Sequence, residues 1–136
     1  MDTNKRVSEH FTEKELACSH CGMLNLHPGF IDKLEAVRIE LNEPMHITSG
    51  CRCAVHNKAV GGVPSSTHIC DELPYKAQGQ KGTLGVDIAA TDGGYRGRLF
   101  SILWRHGFTI GWNAKKNFLH ADQRVMVGLQ QTSFDY

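Results

Sequence analysis

Three short stretches, far apart in the chain, each carry one side chain that can bind a metal ion. Residues 65–69 contain His68, residues 84–88 contain Asp87, and residues 118–122 contain His120. Each stretch is typical of a short strand, since β-branched and apolar residues flank the polar side chain. Two imidazoles and one carboxylate are a ligand set typical of a catalytic zinc, which keeps a further position open for water. The sequence therefore predicts a fold that brings these three strands together.

Each of the three side chains also has a simpler interpretation. Asp87 stands between Val86 and Ile88, and an aspartate in a core is costly unless it is paired or bound to metal. It could instead cap a backbone turn or face an arginine. His68 and His120, taken singly, are more typical of hydrogen-bonded structural histidines. The metal hypothesis depends on the joint occurrence of all three.

Composition limits the class of protein and of partner. The chain has 136 residues, 40% hydrophobic and 21% charged, with a formal net charge of +1, which indicates one globular domain. Scattered basic residues give no reason to expect a nucleic acid or an anionic membrane as partner. No apolar run approaches the roughly 20 residues needed to cross a bilayer. The polar start predicts a protein made in the cytoplasm without a signal peptide. The oligomeric state is not predicted.

Five cysteines are an odd number, so at least one cannot pair within the chain. They are Cys18, Cys21, Cys51, Cys53 and Cys70. Without an export signal, a disulfide framework is not the default. Three states stay open: reduced and partly buried thiols, a disulfide, or a second metal site built from Cys18, Cys21, Cys51 and Cys53.

The remaining patterns predict an α+β fold. A capping box at Thr12–Glu15 indicates a short helix, and apolar residues at helical spacing indicate helices over 28–41 and about 94–106. Strands are predicted at 45–49 and 65–69, at 84–89, and in a hairpin at 108–112 and 118–122. We expect a small, largely antiparallel sheet with two main helices. Residues 1–10 are predicted as a flexible arm, 11–123 as the domain, 70–83 as an inserted loop, and 124–136 as a tail.

Short motifs in a fixed order carry a resemblance to a known family. They are Ser49-Gly50-Cys51-Arg52, His56-Asn57, Gly61-Gly62, Ser66-Thr67-His68, Gly85-Val86-Asp87 and His120-Ala121-Asp122. In this order the chain resembles, over roughly residues 10–123, the zinc D-alanyl-D-alanine carboxypeptidases. That family includes murein endopeptidases and phage endolysins, and the hedgehog signalling domain shares its fold and metal site. A shared fold does not by itself define an activity.

The resemblance implies a role for each matching residue. His68, Asp87 and His120 match the three Zn²⁺ ligands, and Arg52 matches the arginine that binds the carboxylate or carbonyl of the substrate peptide. Ser66 matches a serine that hydrogen-bonds nearby, and Asp122 matches the acidic residue after the last ligand. The implied activity is zinc-dependent hydrolysis of peptidoglycan stem peptides, of the D,D-carboxypeptidase or murein endopeptidase type.

Three departures from the family pattern bear on activity. Asn117 stands where the family commonly has the catalytic base, which leaves Asp71, Glu72 or His56 as candidates. A longer segment separates the first two ligands, so the insert 70–83 is expected beside the metal. Cys51 replaces the usual aromatic residue before the arginine.

Two other functions remain open at this point. Asn117 favours a non-catalytic module that binds the cell wall or a protein partner, and a virion structural protein that keeps the metal site is the other alternative. The missing export signal favours a phage-encoded protein that reaches the bacterial wall through a holin or a virion.

Overall fold

The computed structural model describes residues 5–135. Within this range the helices are α1 (Glu13–Leu16), α2 (Phe30–Leu41), α3 (Ala54–Ala59) and α4 (Gly93–Arg105). The strands are β1 (Ile47–Ser49), β2 (Gly85–Ala89), β3 (Thr109–Trp112), β4 (Phe118–Asp122) and β5 (Ser133–Asp135). Short 3₁₀ turns cover Lys76–Gln78 and Arg124–Val127.

Local side-chain chemistry explains where the helices begin. The predicted capping box is present, since the Thr12 hydroxyl accepts from the Glu15 amide and the Glu15 carboxylate accepts from the Thr12 amide. Helix α2 begins two residues later than predicted, because Gly29 takes a left-handed conformation with φ of 85° that glycine adopts without strain. The Asp92 carboxylate caps α4 by accepting from the Tyr95 amide.

The strands form one sheet in the order β1-β2-β4-β3-β5. The first three neighbouring pairs are antiparallel, while β5 runs parallel to β3. In the central pair, Asp87 lies directly opposite His120, so their side chains project from the same face of the sheet. The predicted α+β class, with a small and largely antiparallel sheet and two main helices, is confirmed.

Helices α2 and α4 cover one face of this sheet. Apolar side chains from both helices and from alternate strand positions form a single buried cluster, which includes Phe30, Leu34, Leu103, Ile88 and Leu119. His120 and Asp122 alternate along β4 with the buried Leu119 and Ala121, so they belong to the opposite face. Within residues 5–135, no helix combines the length and the apolar character needed to cross a membrane.

The strand predicted at residues 65–69 is wrong. This segment is a turn-rich loop, and among the described residues its β-type backbone pairing is limited to an isolated bridge between Arg52 and Ile69. The Ser66 hydroxyl accepts from the His68 amide at 3.2 Å, a local bond that competes with strand pairing. His68 therefore reaches the sheet from a loop, whereas Asp87 and His120 lie on strands.

The insert 70–83 contains one short 3₁₀ turn and is held at several points. The Asn25 side-chain amide donates to the backbone carbonyls of Cys70 and Lys81, and the Lys81 backbone amide donates to His27 Nδ1 at 3.0 Å. The Tyr75 hydroxyl donates to the Ser65 carbonyl at 3.0 Å. These bonds fix both the base and the tip of the insert against the domain.

The two ends of the described chain also make defined contacts. Residues 1–4 of the predicted arm lie outside the described range, whereas the Ser8 hydroxyl and the His10 amide donate to the Glu35 carboxylate on α2. In the predicted tail, Ser133–Asp135 forms strand β5, for which the sequence showed no pattern.

Replacing Glu35 by glutamine is expected to lower the free energy of unfolding at pH 7 by about 1–2 kcal/mol. Burial alone raises the pKa of Glu35, but hydrogen bonds from His10 and Ser8 bring it below its ordinary value of 4.5. A lowered pKa means that the stabilisation is present above pH 4.5 and is lost as the pH falls. Urea unfolding at pH 7 and pH 3.5 should show the difference between wild type and variant shrinking. The exposed Glu9→Gln is the control, and a difference that stays constant with pH would contradict the prediction.

Candidate metal centre

Three side chains place their donor atoms in a nearly equilateral triangle. His68 Nε2 lies 3.1 Å from Asp87 Oδ1, and His120 Nδ1 lies 3.2 Å from each of these atoms. All three residues are buried. Nitrogen and oxygen ligands at the usual distances around a tetrahedral ion are about 3.3 Å apart, so the donor set fits a metal ion of this kind.

A hydrogen bond orients His68, and the pairing of two strands orients the other two donors. His68 Nδ1 lies 2.8 Å from the Gly50 carbonyl; because a carbonyl can only accept, Nδ1 carries a proton and Nε2 is left to face Asp87. Asp87 and His120 are oriented by the β2–β4 register. Gly85 lies opposite Asp122 in the paired strands. A side chain at this position would clash with the loop that carries His68, since its Cβ would lie 2.5 Å from Thr67 Oγ1.

The electrostatics of this triangle favour a positive charge at its centre. Burial alone raises the pKa of Asp87, but His68 and His120 hold it well below its usual range. Burial alone lowers the pKa of His120, yet hydrogen bonds to Asp122 and Asp87 raise it to about 9. The group of side chains thus retains a proton strongly, and a cation that binds here displaces that proton.

Asp122 contacts the second ring nitrogen of His120, and Arg124 in turn binds Asp122. Asp122 Oδ2 lies 2.7 Å from His120 Nε2, and the Arg124 guanidinium donates to both Asp122 oxygens at 3.0 and 2.8 Å. Burial alone raises the pKa of Asp122, but its bonds with His120 and Arg124 lower it to about 2. When His120 Nδ1 binds a metal ion, Nε2 carries the proton and donates it to this carboxylate.

Arg52 lies at the edge of the triangle. Its Nη2 is 3.7 Å from Asp87 Oδ2 and donates to Ser49 Oγ at 3.1 Å, while Nη1 donates to Asn57 Oδ1 at 3.1 Å. Asn57 in turn donates to the Val63 carbonyl. The motif residues Ser49 and Asn57 therefore hold a guanidinium fork beside the candidate metal ligands.

A cleft of about 570 Å³ opens at these residues, which is within the size range of small-ligand sites. Basic side chains line it at Arg52, Lys116 and Arg124, and Asp87 is the single carboxylate among its lining residues. Ser66 also lines it, and the insert 70–83 contributes Tyr75. This charge distribution favours a ligand with an anionic or carbonyl-rich end.

The three alternative bases considered from the sequence do not line this cleft. Asp71 is exposed and accepts from the Ala54 amide at 2.9 Å, and Glu72 follows it in the chain. His56 lines a different and smaller depression near Ser19. Asn117 is exposed, and its backbone carbonyl accepts from the Ala90 backbone amide. The described cleft thus offers no obvious carboxylate base apart from the ligand Asp87.

Of the four cysteines that were candidates for a second metal site, the structure brings three together and places the fourth apart from them. The sulfur atoms of Cys18, Cys21 and Cys53 all lie within 4.8 Å of one another. Cys51 instead contacts Asn25, whose amide donates to its sulfur at 3.4 Å. All five cysteines have free thiols.

Comparison with known sequences decides the family. The sequence profile of the family described as Peptidase M15 matches residues 9–122, which includes all three residues of the triangle. The chain belongs to this family. Peptidases of this family resemble the zinc D-alanyl-D-alanine carboxypeptidases and depend on a metal ion. No curated protein matches the chain significantly.

Membership of the peptidase M15 family supports the conclusion that this protein is a metallopeptidase. The resemblance predicted from the motifs is confirmed, as is the fold class. His68, Asp87 and His120 are the candidate groups for the metal ion. Arg124 was missed by the sequence reasoning, although its spacing gave a signal: His120, Asp122 and Arg124 are each two residues apart, as side chains on one face of an extended chain are.

Replacing Asp122 by asparagine is expected to weaken metal binding at the triangle about 10- to 100-fold. The amide leaves the Arg124 charge uncompensated and provides a weaker acceptor for His120 Nε2. Competition with a chromophoric chelator measures the affinity. The exposed Asp32→Asn on α2 is the control, and equal affinities for the two variants would contradict the prediction.

Proposed function

We propose that this protein is a zinc-dependent peptidase that hydrolyses the stem peptides of bacterial peptidoglycan. The observation that carries the proposal is the triangle of His68, Asp87 and His120 in a cleft beside a fixed arginine. Two histidines and one carboxylate form a donor set that suits zinc and leaves room for substrate. When bound, zinc supplies Lewis acidity, which polarises a peptide carbonyl and makes water more acidic.

The side chains around the triangle have separate tasks under this proposal. Arg52 binds the carboxylate or the carbonyl of the substrate peptide, because its fork is held by Ser49 and Asn57 and suits bidentate binding. Asp122 keeps the proton on His120 Nε2 and so fixes the orientation of its ring. Ser66 holds the loop that carries His68 through the His68 amide.

The substrate class is supported by the charge of the cleft and by the motifs. A stem peptide ends in a carboxylate, and Arg52 and Lys116 contribute positive charge to the lining of the cleft, whereas Asp122 compensates the charge of Arg124. Electrostatic complementarity of this kind favours the encounter and sets the orientation of the ligand. The motif order adds the D,D-carboxypeptidase or murein endopeptidase type, and the bacterial cell wall as the place of action.

A second function is favoured by one specific observation. Asn117 stands where a catalytic base is expected, and Asp87 is the sole carboxylate among the cleft-lining residues. An asparagine amide does not accept a proton at neutral pH. The same cleft without a base would bind a wall peptide and leave it intact, as a non-catalytic wall-binding module.

The experiment that separates these functions uses the zinc-loaded protein with purified peptidoglycan and with a stem peptide ending in D-Ala-D-Ala. Mass spectrometry is expected to detect released D-alanine or a cleaved stem, and a chelator should abolish the product. If the zinc-loaded protein binds the wall in a sedimentation assay while every peptide stays intact, the peptidase proposal fails and the binding module is supported.

A further inference from the structure

We propose that Cys18, Cys21 and Cys53 form a second, structural zinc site, with His20 as the fourth ligand. The site is separate from the triangle of His68, Asp87 and His120. It does not depend on the proposed peptidase activity, since it concerns different side chains on a different part of the chain.

The chain brings the three sulfurs together by a tight turn and a helix start. After α1, the Gly22 amide donates to the Cys18 carbonyl and the Cys18 amide donates to the Met23 carbonyl, both at 2.8 Å. This closed turn places Cys18 and Cys21 side by side. Cys53 is the residue that caps α3, and all three sulfurs lie within 4.8 Å of one another. Sulfur ligands around a tetrahedral zinc are about 3.8 Å apart, so a small adjustment accommodates the ion.

Backbone amides surround two of these sulfurs with hydrogen-bond donors. The Cys53 amide donates to Cys18 Sγ at 3.4 Å, and the His56 amide donates to Cys53 Sγ at 3.4 Å. The backbone of His20 and of Cys21 also bonds the Cys18 sulfur. Donors of this kind favour the thiolate over the thiol, and the thiolate is the form that binds metal.

The His20 imidazole lies beside one of the three sulfurs, and a movement of this exposed side chain would bring it to an ion that the sulfurs bind. Its Nδ1 lies 3.4 Å from Cys53 Sγ, close to the separation of about 3.6 Å expected for a nitrogen and a sulfur on one tetrahedral zinc. The His20 ring stacks on the His56 ring, with centroids 5.8 Å apart and planes 3° apart. This stacking holds the imidazole beside Cys53. Three cysteines and one histidine are a common ligand set of closed structural zinc sites.

A disulfide explains the arrangement less well. Pairing any two of the three cysteines would leave one thiol and the imidazole beside it without a role. Oxidation would also require a compartment or an oxidant that favours disulfides. Three converging sulfurs, with an imidazole nitrogen 3.4 Å from one of them, are the arrangement from which structural zinc sites are built.

The position of the site allows it to link two segments of the fold. Cys53 is the neighbour of Arg52, and the Cys51 amide on the other side of Arg52 donates to the Leu16 carbonyl at 2.7 Å. Zinc bound to Cys18, Cys21 and Cys53 would tie the end of α1 to the segment that carries the guanidinium. The second zinc thus holds Arg52 in place beside the cleft.

Metal analysis of the purified protein tests the proposal, with about two zinc ions per chain expected. Cys21→Ser, a substitution at an exposed position, should reduce this to about one, and His68→Ala should remove the other. Cys70→Ser is the matched control, because this buried thiol lies outside the group of three, and it should retain both ions. Cobalt substitution should give a thiolate charge-transfer band in wild type and in His68→Ala, and none in Cys21→Ser.

Three results would overturn the proposal. One is an unchanged zinc content in Cys21→Ser, and another is a thiolate band that survives this substitution. The third is a disulfide between two of the three cysteines in protein purified under reducing-agent-free but anaerobic conditions. His20→Ala should bind the second zinc more weakly than wild type does, and an equal affinity would overturn the assignment of His20. These readouts are independent of peptide cleavage, so failure of the peptidase proposal leaves them unaffected.

Discussion

Replacing His68 by alanine is expected to release the metal ion from the triangle and to reduce peptide hydrolysis about a thousandfold or more. The variant keeps only two of the three donors that lie 3.1 to 3.2 Å apart. A metal ion contributes several kcal/mol of transition-state stabilisation, and about 4 kcal/mol corresponds to a factor near one thousand in rate. Metal content and the rate at which the stem peptide is hydrolysed in the proposed assay are the two measurements.

His46→Ala is the matched control for this variant. His46 is exposed, and its carbonyl, which the substitution keeps, accepts from the Ala89 amide in the pairing of β1 with β2. We expect wild-type metal content and rate from this control. Full activity in His68→Ala would show that hydrolysis does not take place at the triangle, while lost metal with no change in wall binding would indicate a peptide site that does not use the metal.

Replacing Gly50 by alanine is expected to lower the free energy of unfolding by about 3 kcal/mol. A Cβ at this position would lie 2.5 Å from the Leu16 carbonyl oxygen and 2.8 Å from the Leu16 Cα. These are backbone atoms at the end of α1, so the contact cannot be relieved by a change of rotamer. Since the Gly50 carbonyl also accepts from His68, metal affinity should fall together with stability. Urea unfolding measures the first effect and chelator competition the second.

Gly97→Ala serves as the opposite control. Gly97 lies inside α4, and a Cβ there would meet no atom within 4 Å. Alanine in a helix interior is more favourable than glycine by about 0.5–1 kcal/mol, so this variant should be slightly more stable than wild type. Equal stabilities of the two variants would mean that the approach of Leu16 to Gly50 is looser than the structure shows.

The elements predicted well from the sequence are those with a strong periodic pattern. Helix α2 has apolar residues at helical spacing. In strand β2 apolar residues flank a single polar side chain, and in strand β4 polar and apolar residues alternate. These patterns follow from burial against a single core, which the sequence expresses locally. The family motifs then place His68, Asp87 and His120 in one site, as the triangle of donor atoms shows.

The elements that were missed depend on contacts between distant parts of the chain. Strand β5 consists of Ser133–Asp135 and pairs in parallel with β3, and so short a segment has no detectable period. The loop at 65–69 was predicted as a strand because its residues are β-branched or small. The hydrogen bond between Ser66 and the His68 amide, which favours a turn, becomes visible only in the folded structure.

The clustering of the three candidate ligands was predicted from the sequence, and the surroundings of the site were predicted less well. Arg124 and Tyr75 reach the cleft from segments predicted as a tail and as an inserted loop. Asp71, Glu72 and His56 were considered as bases from the sequence, but distance in the fold separates them from the cleft. Residue type alone carries no information about such distances.

The pairing of Asp87 with His120 across β2 and β4 has a consequence for how this protein reaches its native state. Side chains alternate between the two faces of a strand, so sliding β2 by one residue against β4 would turn Asp87 toward the helices while His120 stayed at the cleft. No chain with that error could present both donors to one ion. A bound ion therefore favours the native strand register, because it binds the correctly paired sheet and stabilises it relative to every shifted register.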